Sequence, residues 1–522
     1  MGELAIMKKF CKLLFCISVE LADLLSKLAY ICTILLPIRY SNRSVKIERK
    51  KLKKLYLPSP IHLNTNLQDN EISKNAFSYI EDYWTNIQLN NHKVLSGNYN
   101  KNHLLDIQTI SGDKNHDRSF SASERIPNLI RLYNLADSSD IKLTIAGSIL
   151  NSYNFIIDNL EVYPFGFKDF AKQNTNNHYL SNLRTIILCH LMTNKLQTAL
   201  LFLNKYNQAY NLLHQDSRFI EGSNYYKSIV DSYNFEIYIA FLNKEIYLPS
   251  LMKPVIRQLK IENLTEQIFK KQIFFGSISP DPSFDRYNLL ERLFKKPRSV
   301  RKHIIYDLAD RIIIEYKNWK LLIPKNQFSV ARYHINNSYG NFTMFFKDKC
   351  IIDSHKTGRY DWNNQKIDGR SACFHNSISV GKNELWPLRK RILYPFTSRK
   401  IIFDYKIEFK EDEVIVSTFY LNFFGNILFT RKFSISNSLA IETEACIDGE
   451  TKFYINLNHD VKLNDKKEAT VGLLNDSIEF RSDTEYETIL SRQYINHRDS
   501  LEAKTLIFST KSFIIKFSVK DF

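Results

Sequence analysis

The sequence predicts a multidomain α and β protein, in which an array of helical hairpins precedes an antiparallel β-sandwich. The chain has 522 residues, too many for one ordinary hydrophobic core, and this length indicates two or three domains. Apolar residues recur at helical spacing from about residue 73 to 318 and alternate with polar residues after about residue 310. We therefore divide the chain into residues 1–54, 55–312 and 313–522.

Residues 1–54 are predicted to form an amphipathic helix followed by a basic linker. Charges interrupt the segment where a signal peptide has its apolar core, and its longest uncharged run near the end, 28–38, is too short to span a bilayer. With the basic run 43–54, the helix favours peripheral contact with an anionic membrane face. The alternative is a helix packed on the folded body with a solvated linker. The sequence leaves cytoplasmic, inner-membrane and periplasmic locations open.

Residues 55–312 are predicted to form the helical domain. Three segments show an apolar helical face: 141–160, in a helix that opens near Ser138, 183–213, and 225–243. Successive hairpins of this kind fit a toroid or a bundle, because no exact sequence repeat separates the two. The polar stretch 276–283 and the basic stretch 295–302 predict a loop and a domain junction.

Residues 313–522 are predicted to form a mostly antiparallel β domain. Apolar and polar residues alternate over 402–410, a turn follows at 411–412, and 414–421 continues as a second strand. Residues 425–426 predict another turn, and 505–519 predict late strands. We expect a layered sandwich.

Composition narrows the class of partner. The 72 Lys and Arg residues outnumber the 55 Asp and Glu residues, and the formal charge of +17 favours nucleic acid, an acidic membrane face or an acidic polysaccharide. A biased base composition of the gene is an alternative source of the many lysines. No zinc-finger, P-loop or RNA-recognition signature occurs, so nucleic acid is not an expected partner.

The seven cysteines are expected to be buried free thiols. Their number is odd and no CxxC pair occurs, which argues against a disulfide or zinc framework.

Four short motifs carry candidate chemistry: residues 176–182 (NNHYLSN), 221–227 (EGSNYYK), 334–343 (HINNSYGNFT) and 370–376 (RSACFHN). The first two precede predicted helices, where free N–H groups and the positive end of the helix dipole could hold an anion. A plain helix cap, and tyrosines on an ordinary helix face, are the structural alternatives.

Taken in order, these motifs resemble those of the heparinase II/III-like polysaccharide lyases over roughly residues 60–480. The resemblance implies an N-terminal (α/α) toroid, a C-terminal antiparallel β-sandwich, and cleavage of a uronate-containing acidic polysaccharide by β-elimination. It implies catalytic roles for Asn177, His178, Tyr226 and His334. It also implies substrate binding by Arg370, Glu221, Lys227 and Asn376.

Elimination explains why these residue types would meet. Removal of the C5 proton beside a carboxylate creates an enolate-like dianion, which needs a stabilising donor together with a base and an acid. By resemblance, Asn177 and His178 hold the carboxylate, His334 or Tyr226 takes the proton, and Tyr226 protonates the leaving oxygen. Cationic groups would have to bring the tyrosine pKa from about 10 toward neutrality.

Three positions depart from the family pattern. Lys227 and Asn336 each stand where the family has a histidine, and Ser338 stands where it has an aspartate. In family members that bind zinc in the β domain, Asp353 and His375 correspond to the other two protein ligands. Because a neutral amide is a poor substitute for imidazole, both zinc and a metal-free hydrogen-bonded cluster are open.

These departures also leave two alternatives to a lyase. One is a catalytically degenerate glycan-binding or polysaccharide-assembly protein. The other is a uronate C5-epimerase, which abstracts the same proton and returns one from the opposite face. The sequence predicts no oligomeric state.

Overall fold

The computed structural model of the chain places helices first and antiparallel sheets after them. It describes residues 52–57, 119–136, 138–160, 177–215, 218–219, 223–271, 273, 304–325, 338–354, 372–380, 383–384, 402–421, 425–458, 460–461, 472–474, 478–494 and 500–519.

Six α-helices lie within these residues: α1 (Ser119–Leu135), α2 (Ser139–Asp158), α3 (Asn177–Met192), α4 (Leu196–Leu213), α5 (Asn224–Leu242) and α6 (Pro249–Phe269). The predicted start of α2 is confirmed, because the Ser138 hydroxyl accepts a hydrogen bond from the Asp140 backbone N–H at 3.3 Å. The predicted segment 183–213 is two helices, separated at Asn194, whose φ of 54° cannot continue a right-handed helix.

Helices α1, α3 and α5 run parallel. Phe120 and His178 stack near the starts of α1 and α3, and Glu124 bonds Tyr233 while Arg131 bonds Glu236 further along α1 and α5. Helix α4 runs antiparallel to α5, since its residues 206 and 210 bond residues 234 and 231 in reverse order. The starts of α1, α3 and α5 therefore share one end of the helical region, the amino end, and their last turns share the opposite, carboxyl end.

Residues 52–57 cross the carboxyl end as an extended segment. The Lys53 N–H donates to Met192 O at 2.9 Å, and the Tyr133 hydroxyl donates to Leu52 O at 2.9 Å. Leu52 and Leu55 both belong to the helical core, so the predicted division between residues 54 and 55 falls inside a packed segment. Residues 1–51, including the predicted amphipathic helix, lie outside the described residues.

The described strands of the first part are β1 (His214–Gln215), β2 (Arg218–Phe219), β3 (Ile305–Asp307), β4 (Arg311–Tyr316), β5 (Trp319–Pro324), β6 (Thr343–Phe346), β7 (Lys349–Ile352), β8 (Ile378–Val380) and β9 (Asn383–Glu384). A 3₁₀ helix, Ala372–Phe374, precedes β8. The later strands are β10 (Ile402–Lys410), β11 (Glu413–Leu421), β12 (Ile427–Ile435), β13 (Leu439–Ala445), β14 (Thr451–Asn456), β15 (Gly472–Leu474), β16 (Ile478–Ser482), β17 (Glu487–Tyr494), β18 (Ser500–Phe508) and β19 (Ser512–Val519).

Apart from the short β1–β2 pair, the described strands form three antiparallel sheets. The largest has the order β10-β11-β12-β13-β19-β16-β15, and the others have the orders β17-β18-β14-β8-β9 and β3-β4-β5-β6-β7. The predicted hairpin is confirmed, because Lys410 pairs with Glu413 across the turn at 411–412. All three sheets contribute to one apolar core, which includes Trp319, Phe433 and Phe453.

The β region begins earlier than the sequence indicated. Strand β3 starts at Ile305, and the predicted boundary between residues 312 and 313 falls inside β4. The reason is burial: β3 has only three residues, and residues 311–314 of β4 are all buried, so neither shows an alternating pattern. The loop and junction predicted at 276–283 and 295–302 lie outside the described residues.

The β3–β7 sheet packs on the last turns of α6. Ile268 and Phe269 share a small core with Ile313 and Phe345, and the Phe269 and Phe345 ring centroids are 5.0 Å apart. The segment after α6 is tied to the first residue of α5, because the Asn224 amide donates to Ile273 O at 3.0 Å. The β region therefore lies at the amino end of the helical region.

The described cysteines are not all buried, in contrast to the expectation from the sequence. Cys189 is buried and Cys350 and Cys373 are partly buried, whereas Cys446 is exposed. No described helix combines the length and apolar character needed to cross a bilayer.

Candidate active site at the amino end

Asn177 and His178 open helix α3. Asn177 is the first residue of the helix and is buried, and His178 is partly buried beside it. The His178 ring stacks on Phe120 in the first turn of α1, with centroids 4.0 Å apart and an interplanar angle of 17°. Packing between two parallel helices thus fixes the orientation of His178.

Tyr226 lies in the first turn of α5. The Ser223 hydroxyl caps this helix by accepting a hydrogen bond from the Tyr226 N–H at 3.2 Å. The residue is 7% exposed. Because α3 and α5 are parallel neighbours, the structure brings Asn177, His178 and Tyr226 to the same end, beside the β region.

Lys227, the next residue in α5, is part of a buried polar cluster. Its ammonium donates to Asp231 at 2.9 Å, and the other oxygen of Asp231 accepts from the Tyr210 hydroxyl at 2.8 Å. Burial, and next the charge of Lys227, lower the pKa of His214, which stacks on Tyr210, to about 4. The lysine at the family's histidine position is therefore held by a carboxylate inside the protein.

A buried ionic network aligns the three parallel helices, and the sequence analysis missed it. Arg184 of α3 bonds Glu124 of α1 at 2.9 Å and Glu236 of α5 at 3.1 Å. Arg131 bonds the second oxygen of Glu236 at 2.7 Å, and the Arg184 guanidinium lies 4.1 Å from the Tyr233 ring centroid. The available signal was an arginine inside the apolar run 183–191.

Asp353 and His375 meet through Ser354 in the β region. The Ser354 N–H donates to Asp353 Oδ1 at 2.9 Å, and the Ser354 hydroxyl is 2.7 Å from His375 Nδ1. Thr343 also donates to Asp353 Oδ1, at 3.2 Å. Lys271, which follows α6, places its ammonium 4.0 Å from Asp353 Oδ2. The sequence prediction that these two residues form one polar cluster fits this geometry, and the cluster lies next to the helical region.

The described residues do not supply a complete zinc site. Among them, no three His, Cys, Asp or Glu side chains converge on one point. Asp353 and His375 provide two donors, both bonded to Ser354, and a structural zinc site takes about four. Asn336, the proposed third position, lies outside the described residues. We therefore assign no chemical step to a metal.

Asn376 has a supporting position rather than the substrate contact that the sequence suggested. It is fully buried, its amide donates to Phe342 O at 2.7 Å, and its carbonyl oxygen Oδ1 accepts from the Asn456 N–H at 2.7 Å. The physical reason for the correction is that these bonds commit the side chain to the backbone of two other segments.

Arg431 also supports the backbone around Asn376 and Gly340. Its buried guanidinium donates to Gly340 O and, at 2.8 Å, to Asn376 O, and burial lowers its pKa to about 10. Gly340 has a φ of 82°, and a Cβ there would lie 2.9 Å from the Phe429 ring. Only glycine fits this turn, which lies within the motif 334–343 that begins at His334. Sequence periodicity gave no signal for Arg431.

His334, Arg370 and Glu221 lie outside the described residues, whereas Ser338 is described and buried.

Comparison by sequence finds no matching family model and no matching curated protein. Comparison of structures does find matches. A crystal structure of heparinase III has 11% identity and a TM-score of 0.60, over 87% of this chain and 80% of that chain. Heparan sulfate lyase HepC from Pedobacter heparinus has 11% identity and a TM-score of 0.50, over 84% and 75%. The heparinase III-BT4657 gene product has 11% identity and a TM-score of 0.52, over 94% and 88%. The chain therefore has a heparinase-like fold, as its four motifs predicted.

Proposed function

We propose that this chain is a polysaccharide lyase that cleaves a uronate-containing acidic polysaccharide by β-elimination. The observation that carries the proposal is the placement of Asn177, His178 and Tyr226 in first turns of parallel helices, at the end beside the β region. The similar structures are a heparinase and a heparan sulfate lyase, and the net charge of +17 suits an acidic substrate.

The proposal includes an architecture. We propose that the helical region closes as an (α/α) toroid, that the stacked sheets form a β-sandwich, and that the substrate lies between them. In this arrangement His334 faces Tyr226 across the cleft. The support is local: Arg431 and Asn376 brace the turn at Gly340, which lies within the same motif as His334.

In the proposed reaction, Asn177 and His178 hydrogen-bond the uronate carboxylate and stabilise the charge that develops there. His334 or a Tyr226 phenolate takes the C5 proton, and that electron pair forms the C4–C5 double bond. The C4–O bond breaks, and the Tyr226 hydroxyl supplies the proton to the leaving oxygen. The products are one unsaturated uronate end and one free hydroxyl end.

The test is a screen of full-length protein against a panel of acidic polysaccharides that includes heparan sulfate. Wild-type protein is expected to raise ultraviolet absorbance through unsaturated ends, and Tyr226→Phe is expected to abolish turnover while leaving binding nearly unchanged. Tyr247→Phe is the matched control, because Tyr247 is 68% exposed and follows the last turn of α5, at the carboxyl end. If wild type and Tyr226→Phe form unsaturated ends at the same rate, Tyr226 is not a catalytic residue.

A second candidate is a glycan-binding or polysaccharide-assembly protein without turnover. The observation that favours it is Lys227, whose ammonium is buried and paired with Asp231. The same screen separates the candidates: binding without products supports this function, and deuterium from solvent at C5 without unsaturation supports a C5-epimerase.

A further inference from the structure

Exposed aromatic side chains and lysines occur together at the carboxyl end of the helical region. Tyr56 is 61% exposed, Tyr247 is 68% exposed and Leu242 is 38% exposed. Lys53 and Lys54 are exposed on the crossing segment. We call this the carboxyl-end surface, and its members are Lys53, Lys54, Tyr56, Leu242, Lys244 and Tyr247.

Direct contacts join the two segments that form this surface. The Asn243 amide donates to Tyr56 O at 2.5 Å, which fixes the crossing segment beside the end of α5. The Lys244 ammonium donates to Asn194 at 2.8 Å, and Lys53 is close enough to add to the effect of burial in lowering the pKa of Lys244. The surface is therefore built on anchored backbone.

The chemistry of the surface suits the boundary between water and lipid. Tyrosine is enriched at this boundary because its ring is apolar and its hydroxyl is polar, and lysines near it attract anionic headgroups. Three lysines outnumber the two exposed acidic residues described at this end, Glu245 in the loop after α5 and Asp140 in the first turn of α2. The sequence that leads into the surface has the same combination of basic and apolar residues, since residues 43–54 contain a basic run and residues 14–28 an apolar helical pattern.

We propose that the carboxyl-end surface docks on an anionic lipid bilayer, with the candidate active site directed away from it. The distance between the two ends follows from α5, whose 19 residues at about 1.5 Å each span roughly 28 Å. A membrane at the carboxyl end would therefore leave the amino end open to a long soluble polymer. The inference does not depend on the proposed reaction.

Vesicle sedimentation with the full chain tests the docking. Vesicles of phosphatidylcholine with phosphatidylglycerol are expected to bind the protein, in a salt-dependent manner, and pure phosphatidylcholine vesicles much less. Each lysine at an anionic surface contributes about 1 kcal/mol, so Lys53→Gln with Lys54→Gln is expected to weaken partitioning roughly 25-fold. Tyr56→Ser with Tyr247→Ser is expected to weaken it at high salt as well.

The matched controls lie on other surfaces: Lys432→Gln on β12 and Leu490→Ser on β17, whose side chains are also exposed. Both are expected to bind as wild type does. Chemical acetylation of the vesicle-bound protein determines which end faces the lipid. Lys53 is expected to be protected from acetylation, and Lys271 is not. Three results would each overturn the proposal. They are vesicle binding by the Lys53 and Lys54 variant as strong as that of wild type, no vesicle binding by wild type, and protection of Lys271 in place of Lys53. The proposal also fails if the carboxyl-end surface binds an acidic polysaccharide and does not bind vesicles.

Discussion

Replacement of Arg311 by methionine tests how the helical and β regions are held together. The Arg311 guanidinium is fully buried and bonds both oxygens of Glu262 in α6, at 2.5 and 3.0 Å. It also bonds both oxygens of Asp310, at 3.0 and 2.9 Å. Burial alone would raise the pKa of Asp310, but the charge and hydrogen bonds of Arg311 outweigh burial and hold that pKa low.

The expected loss is large because methionine removes one charge and leaves the buried carboxylate of Glu262 and the partly buried carboxylate of Asp310 without their cationic partner. Breaking a buried ion pair in this way typically costs about 3–5 kcal/mol. Adding Glu262→Gln to the variant should recover part of this loss, since one unpaired charge disappears. The pH dependence has a defined sign: a lowered folded pKa for Asp310 stabilises the protein above its unfolded pKa of about 3.9, and this contribution is lost as pH falls below that value.

Urea unfolding of the full chain, followed by tryptophan fluorescence, provides the assay, because Trp319 is buried in the same sheet. Arg481→Met is the matched control: Arg481 pairs with Glu479 at 3.0 Å on the exposed surface, where such pairs contribute about 0–1 kcal/mol. If Arg311→Met and Arg481→Met lose the same stability near neutral pH, the buried pair does not join the two regions.

Three further predictions concern other buried groups. Arg431→Met should reduce stability by several kcal/mol and increase amide exchange around Gly340, whereas equal exchange in the variant and wild type would show that Arg431 does not brace this turn. Burial, and next the charge of Lys195, lower the pKa of His190 to about 4 from about 6.5, so the folded protein should lose up to roughly 3 kcal/mol as pH falls through this window. His190→Phe should remove this share of acid sensitivity in urea unfolding at several pH values, and an unchanged pH profile would contradict the assignment. Protein purified without chelator should contain no stoichiometric zinc, because Asp353 and His375 supply only two donors, and zinc that disappears in His375→Ala would contradict this expectation.

The sequence predicted the parts of the fold that depend on local periodicity. The apolar face that follows Ser138 became α2, and the alternation over 402–410 became β10 with its turn at 411–412. The sequence did not predict short or fully buried strands. Strand β3 has only three residues, and the start of β4 is buried on both faces, so neither has a recognisable alternating pattern. The order of strands in the sheets was not predicted either, because pairings such as β13 with β19 join segments far apart in sequence.

The sequence marked candidate residues at the helix starts but not the buried network that supports them. The resemblance of two motifs to those of the heparinase II/III-like lyases marked Asn177, His178 and Tyr226, and the polar residues at the two helix starts are compatible with a plain cap as well. The network of Arg184 and the anchoring by Arg431 were not predictable, since each bonds partners about 50 or more residues away. Periodicity reports which face of an element is buried, and it does not report which distant charge meets another.

A crystal structure of the Tyr226→Phe variant with an acidic oligosaccharide tests the central claim most directly. We predict a uronate ring between the helical and β regions, with its carboxylate hydrogen-bonded by Asn177 and His178. Its C4 oxygen should lie next to residue 226, and the C5 hydrogen should point toward His334 or residue 226. A sugar bound elsewhere on the protein, or one whose carboxylate is far from Asn177, would contradict the proposed lyase site.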